Sequence, residues 1–126
     1  MLLADLVATS AEVAATRSRT AKVAALARCL SETDPEDLPV VAAYLGGGLL
    51  QRRTGVGWRG VATTPPPAAH PTLTVREVHE TFDRLASVAG TGSREARSAL
   101  VTGLLSRATP AAQAWLRGAV TGSVRQ

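Results

Sequence analysis

The sequence predicts an all-α fold, a compact multi-helix domain of about six or seven helices with a Pro-rich internal loop. Three observations carry this reading. The apolar share is 45% of 126 residues, drawn mostly from Ala, Val and Leu. The only aromatics are Tyr44, Trp58, Phe82 and Trp115. Small side chains of good helix propensity suit close helix packing better than a sheet rich in aromatic and β-branched residues. Apolar residues also recur at helical spacing, between residues that start and stop helices.

Leu2, Leu3, Leu6 and Val7 open an apolar face that continues through Val13 and Ala14. A second helix covers about 19–30, where Val23, Leu26, Ala27 and Leu30 recur. Asp34-Pro35-Glu36-Asp37 reads as a helix start, with an N-cap acid, proline at the first helical position and acids in the first turn. That helix is expected to bury Leu38, Val41 and Leu45 and to stop at Gly46-Gly47-Gly48, which tolerate left-handed backbone. Gln51 to Trp58 reads as a turn into a short helix near 58–62. Thr63 to Pro71 holds four prolines and reads as extended; the internal loop is placed at 63–73.

Thr74-Val75-Arg76-Glu77 matches a capping box, in which hydroxyl and carboxylate satisfy free backbone N–H groups reciprocally. Val75, Val78, Phe82, Leu85 and Ala89 form the stripe behind it, with Arg76–Glu80 and Glu80–Arg84 as i,i+4 pairs. Gly90-Thr91-Gly92 ends this helix. Ser93 is expected to cap the next one, which runs to about Arg107 around Leu100, Val101, Leu104 and Leu105. Thr109-Pro110 starts a last helix with Trp115, Leu116, Ala119 and Val120, and Thr121 to Gln126 forms its exit. Neither half alone can bury much core, so residues 1–126 are read as one domain.

Charge narrows the function classes. Net charge is +4, which suits an anionic partner. Three stretches are basic and free of acid: 13–31 with Arg17, Arg19, Lys22 and Arg28; 38–76 with Arg52, Arg53, Arg59 and Arg76; and 96–126 with Arg97, Arg107, Arg117 and Arg125. Met1 to Asp5 lacks the basic start of a signal peptide. The longest apolar run, Leu38 to Leu45, is far short of the ~20 residues that span a bilayer. One cysteine, Cys29, forms no internal disulfide. A cytoplasmic, nucleoid-associated location is expected, with no membrane partner.

No catalytic constellation is visible. His79, Asp83 and Ser87 lie along one helix, whereas a hydrolase places its nucleophile on a strained turn beside an oxyanion hole. The expectation for His79 and Asp83 is a surface ion pair. His70 and His79 lack metal-ligand spacing, and Cys29 beside Arg28 is read as structural. No Gly-Lys-Ser/Thr follows the glycine clusters. Lys22 is the sole lysine, and the Lys-x-Asp-Gly motif of enzymes that form a lysine–AMP bond is absent.

Binding is the better class. Scarce aromatics argue against base stacking on single strands, and Trp58, Phe82 and Trp115 sit in core-like contexts. Arginines, helix N-termini and Gly/Ser turns suit contact with a duplex backbone. Two turns stand out: Gly90-Thr91-Gly92-Ser93-Arg94 with Arg97, and Thr121-Gly122-Ser123-Val124-Arg125. Arg97 projects towards the Val101/Leu104 stripe, where its stem can lie on apolar surface. The rival class is a helical protein–protein module whose arginines are merely solvated.

Taken in order, several segments resemble the N-terminal DNA-binding domain of ATP-dependent DNA ligases, particularly the shorter bacterial forms. They are Thr16-Arg17-Ser18-Arg19-Thr20-Ala21-Lys22, Tyr44-Leu45-x-Gly47-Gly48, Gln51-Arg52-Arg53-x-Gly55-Val56-Gly57-Trp58, Leu73 to Val78, Gly90 to Ser93, and Leu116-Arg117-Gly118-Ala119-Val120-x-Gly122-x-Val124-Arg125. The resemblance implies a non-catalytic all-helical domain that binds the minor groove around a nick while adenylation and oligonucleotide-binding (OB) domains close round the duplex. It implies phosphate contacts from Gly92, Ser93 and Arg94 and from Ser123, Arg125 and Gln126, with Arg19 and Lys22 as further contacts. Arg97 completes the candidate set. No cofactor is expected in this chain; ATP and Mg²⁺ belong to the catalytic domain. Two departures stand out: the Pro-rich stretch replaces a longer helical segment, and the chain stops at Gln126 where the family continues, which implies truncation.

Overall fold

A computed structural model describes residues 1–49 and 64–121. The turn and short helix expected over 51–62, Trp58 and the exit after Thr121 lie outside those residues. Six α-helices appear among the described residues: α1 (Leu3–Ala15), α2 (Arg19–Ser31), α3 (Leu38–Leu45), α4 (Val75–Ser87), α5 (Ser93–Ser106) and α6 (Pro110–Thr121). The all-α reading holds; among the described residues the sole extended pairing is an isolated antiparallel bridge between Leu2 and Thr74.

α1 and α2 form a hairpin, and α1 also packs on α3, α4 and α6, while α4 packs on α3 and α5. The core runs through all these contacts: Leu3 and Leu6 from α1, Val41 and Tyr44 from α3, Val78, Phe82 and Leu85 from α4, Leu105 from α5 and Leu116 from α6 are all at most 2% exposed. The expected aromatic core is present where it is described. The Tyr44 and Trp115 rings lie 5.2 Å apart at an interplanar angle of 53°, a tilted contact that suits their quadrupoles. Burial pushes the Tyr44 phenol above its usual range, with the nearby Asp83 carboxylate adding to the effect.

The helix starts show which local signals act. Ser18 caps α2 by accepting from the Ala21 N–H at 3.1 Å. The expected capping box of α4 is complete: the Thr74 hydroxyl accepts from the Glu77 N–H, and the Glu77 carboxylate accepts from the Thr74 N–H, both at 3.1 Å. Gly46 to Gly48 stop α3 as expected, with Gly47 at φ 83° and the Gly48 N–H donating back to the Ala43 carbonyl. α6 begins at Pro110 as read.

Three expectations around α3 and α4 are corrected. Asp34 makes no side-chain cap; Pro35–Asp37 instead form a 3₁₀ turn, and α3 begins at Leu38. Leu38 is 36% exposed, because the tighter turn rotates the buried face onto Val40, Val41, Tyr44 and Leu45. Arg76 turns away from Glu80. Its guanidinium donates to Asp37 at 3.1 and 3.2 Å and to Glu36 at 2.9 Å. These carboxylates raise its pKa further and tie α4 to the turn before α3.

One polar junction fixes the relative placement of three helices. The Leu3 N–H donates to the Leu73 carbonyl at 2.8 Å and the Val75 N–H to the Met1 carbonyl at 2.9 Å, clipping the starts of α1 and α4 together. Arg107, the C-cap of α5, grips the Glu77 carboxylate with both terminal nitrogens and reaches the Thr72 carbonyl. Residues 64–73 take neither helix nor strand but are held to the bundle. Gln113 donates to the Pro65 carbonyl at 3.0 Å, Arg117 to the Thr64 hydroxyl at 3.0 Å, and the Ala68 N–H to the Ala108 carbonyl at 2.9 Å.

Phe82 is 1% exposed at the centre of this packing, so Phe82→Ala should lose about 3–5 kcal/mol of stability, read from the denaturant midpoint at unchanged slope. Acid should act through Glu77. Hydrogen bonds from Arg107, then from the Thr74 backbone, lower its pKa from 4.5 to about 2. A carboxylate depressed on folding adds stability that is fully present above its unfolded pKa and is lost as pH falls through the folded one. Wild-type protein should therefore lose stability between about pH 5 and pH 2. Glu77→Gln should be less stable at neutral pH and show a flatter slope across that window in pH-dependent denaturation.

Candidate nucleic-acid interface

The cations separate into two groups by what they touch. Arg28 pairs with Glu12 at 2.5 Å, Arg76 with Glu36 and Asp37, and Arg107 with Glu77. Arg117 donates to Thr64, and Arg97 donates to the Val88 carbonyl at 2.8 Å. Among the described residues, Arg17, Arg19, Lys22, Arg84 and Arg94 make no ion pair or side-chain hydrogen bond. A guanidinium already neutralised by a carboxylate gains little from a second anion, whereas an uncommitted one can neutralise a phosphate and release its counterions. Arg19, Lys22 and Arg94 from the candidate set fall in the uncommitted group. Arg17 and Arg84 join them. Arg17 stands two positions before Arg19 in the sequence; Arg84 is hidden there by its apparent pairing with Glu80.

The turn between α4 and α5 is built from residues that tolerate an unusual backbone. Gly90 and Gly92 take φ of 84° and 81°, the left-handed region that costs other residues roughly 1–2 kcal/mol. Both glycines are exposed, and an added Cβ at either would meet nothing within 4 Å. They are required by the path of the chain and not by crowding. Gly92 itself is the N-cap of α5, with no side-chain cap. Ser93 is thus the first helical residue and not the cap expected for it. Its N–H donates to the Gly90 carbonyl at 3.2 Å, and its hydroxyl accepts from Arg97 at 3.4 Å.

The Ser93 and Ala96 N–H groups are taken by the Gly90 and Gly92 carbonyls, but without a capping side chain those of Arg94 and Glu95 stay available, and the helix dipole adds partial positive charge there. Arg94 is exposed beside them. Gly92, Ser93, Arg94 and Arg97 are therefore brought together at one helix start. Arg19 and Lys22 occupy the first turn of α2, which packs on α1 and α3. Ser123, Arg125 and Gln126 lie outside the described residues, so no placement is given to the second turn.

Elsewhere the chemistry is quiet. His79 Nε2 and Asp83 Oδ2 lie 3.5 Å apart, the surface pair expected. Ser87 donates to the Arg84 carbonyl and not to that pair. Cys29 is buried in the core, and its neighbour Arg28 is engaged by Glu12. Among the described residues no three His, Cys, Asp or Glu side chains gather as a metal site. None of their helices is long and apolar enough to cross a membrane. An open cleft of about 310 Å³ runs along α4 and α5, lined among others by Glu77, Glu80, Arg84, Leu100 and Arg107. Its mixed charges mark a packing seam, set well down α5 from the glycine turn.

Comparison with known proteins gives this surface a context. The chain is 57% identical over its whole length to a probable DNA ligase of Nocardioides sp., and 55% identical to one of Kineococcus radiotolerans. It is 44% identical to a probable DNA ligase of Streptomyces avermitilis, again over the whole chain. It spans about a quarter of the length of each, 26%, 26% and 25% respectively. No solved structure matches. Residues 60–125 match the family described as DNA ligase N terminus, more than half of the chain and including the whole glycine turn. The chain belongs to the DNA ligase N-terminus family.

Proposed function

We propose that this chain is the non-catalytic DNA-holding domain of an ATP-dependent DNA ligase, gripping the backbone of nicked duplex across the minor groove. The observation that carries the reading is the glycine turn. It sets an uncommitted Arg94 beside the free N–H groups of a 14-residue helix, a combination of charge and donors that suits phosphate oxygens. Arg19 and Lys22, uncommitted at the start of α2, add a second cationic element. Neither reads base edges, so the grip is independent of sequence.

On this reading the domain positions and neutralises, while adenylation and OB domains perform the chemistry. ATP and Mg²⁺ act in that adenylation domain, consistent with the lack of Lys-x-Asp-Gly in this sequence. The exit residues Ser123, Arg125 and Gln126 form a further contact with the duplex. Such a ligase works in replication, repair and recombination, and the domain is nucleoid-associated with its substrate.

The test is binding of the chain to nicked duplex over a salt series. The expected dissociation constant is on the order of 10⁻⁴ to 10⁻⁶ M, with about 0.9 in the slope of log K against log salt for each phosphate contacted. No binding at low salt, or a slope near zero, would sink the DNA reading and leave the protein–protein module. Arg94→Glu combined with Arg125→Glu should weaken binding while leaving the helical circular dichroism signal unchanged. Survival of binding in that double variant would refute these contacts.

A further inference from the structure

Arg97 behaves differently from the other candidate contacts. Its guanidinium faces into the fold: one terminal nitrogen donates to the Val88 carbonyl at 2.8 Å, the other to the Ser93 hydroxyl at 3.4 Å, and its Nε is buried without a partner. Val88 is the C-cap of α4 and Ser93 the first residue of α5. The arginine thus spans both ends of the glycine turn. Carbonyls at a helix C-terminus are partly negative and short of donors, so a cation there is favoured twice over. Gly90 and Gly92 make the turn geometrically possible but leave it little intrinsic stiffness, since glycine ranges over more backbone states than other residues. Something else has to hold it.

We infer that Arg97 is a positioning residue that bridges Val88 and Ser93 and so locks the glycine turn in the shape that presents Arg94 and the α5 N–H groups to a phosphate. This rests on the DNA-holding reading for its purpose, though not for its geometry. Lysine keeps the charge but, lacking a planar fork, cannot grip both ends. Arg97 therefore differs from a phosphate contact in a measurable way. A phosphate contact sets the salt slope, and a brace sets the affinity at constant slope.

The experiment titrates nicked duplex against the full chain and its Arg94→Gln, Arg97→Gln and Arg97→Lys variants over a salt series. It adds amide hydrogen exchange without DNA at Val88, Ser93 and Ala96, whose N–H groups bond to Arg84, Gly90 and Gly92 carbonyls. Arg94→Gln should lower the slope by about 0.9. Both Arg97 variants should weaken binding at unchanged slope, by about 5- to 10-fold, a loss near 1–1.4 kcal/mol. Exchange should quicken at Ser93 and Ala96 and stay unchanged in α1. A slope drop of about 0.9 in Arg97→Gln with rescue by Arg97→Lys would make Arg97 a direct contact and overturn the inference. Wild-type affinity in Arg97→Gln would overturn it too. If wild-type protein binds no DNA, the functional reading fails; the exchange data then decide the brace, and unchanged rates at Ser93 and Ala96 refute it. Should Arg97→Gln not fold, the guanidinium protons of wild-type Arg97 serve instead: a brace leaves their resonances in place when DNA is added, and a phosphate contact shifts them.

Discussion

Three parts of the chain meet at the Glu77 carboxylate. It closes the capping box of α4 through Thr74, receives Arg107 from the end of α5, and stands beside the backbone clip that joins Met1 and Leu3 to Leu73 and Val75. Half-exposed ion pairs are individually worth only about 0–1 kcal/mol, so Arg107–Glu77 does not hold the domain by strength. The weight lies in Leu3, Leu73 and Val75, all at most 4% exposed beneath it. Burial of each contributes on the order of 1.5–3 kcal/mol. What the polar groups supply is direction. They fix which backbone lies against which, and a slipped pairing would strand buried N–H and C=O groups.

This junction also sets where the candidate contacts stand. α1 and α4 begin at the clip and have 13 residues each, about 20 Å of helix. The start of α2, with Arg19 and Lys22, follows the far end of α1. The glycine turn follows the far end of α4. Both cationic elements thus sit a helix length from a common fixed point, and both fall at helix N-termini. The partnered arginines 28, 76 and 107 instead knit helix to helix or helix to turn. One residue type has two uses here, and the neighbours decide which.

That division explains what could be read from the sequence. Signals within four residues were legible: the Thr74–Glu77 box, the Gly46–Gly48 stop, Pro110 at the start of α6 and the Phe82 stripe. Pairings across the fold were not. Arg76 meets Asp37 from 39 positions away, and no local pattern distinguishes that from the nearer Glu80. The Asp34 start failed for a related reason. Its acids look like a first turn, but Asp37 is buried against Arg76, so a 3₁₀ turn wins over a capped α-helix. At the interface, composition alone marks the glycine turn. The roles of Ser93 and Arg97 within it depended on where the C-cap of α4 would lie, which spacing alone does not give. Trp58 and the exit from Ser123 lie outside the described residues, and their readings stand as sequence expectations.

A domain that holds a duplex without reacting faces a particular constraint. Its phosphate contacts are weak one by one and weaken further with salt, so affinity depends on how little is lost in ordering them. Each immobilised long side chain costs about 0.5–1.5 kcal/mol on binding, comparable to what one solvent-exposed contact returns. Contacts made by backbone N–H groups on a helix already folded avoid that loss, and an arginine on a fixed turn reduces it. The half-buried guanidinium of Arg97 is consistent with this economy. Two of its donors are committed to the fold, and on the inference above the turn that carries Arg94 is ordered before any phosphate arrives. In the proposed role, then, the rigidity of the α4–α5 turn matters as much as its charge.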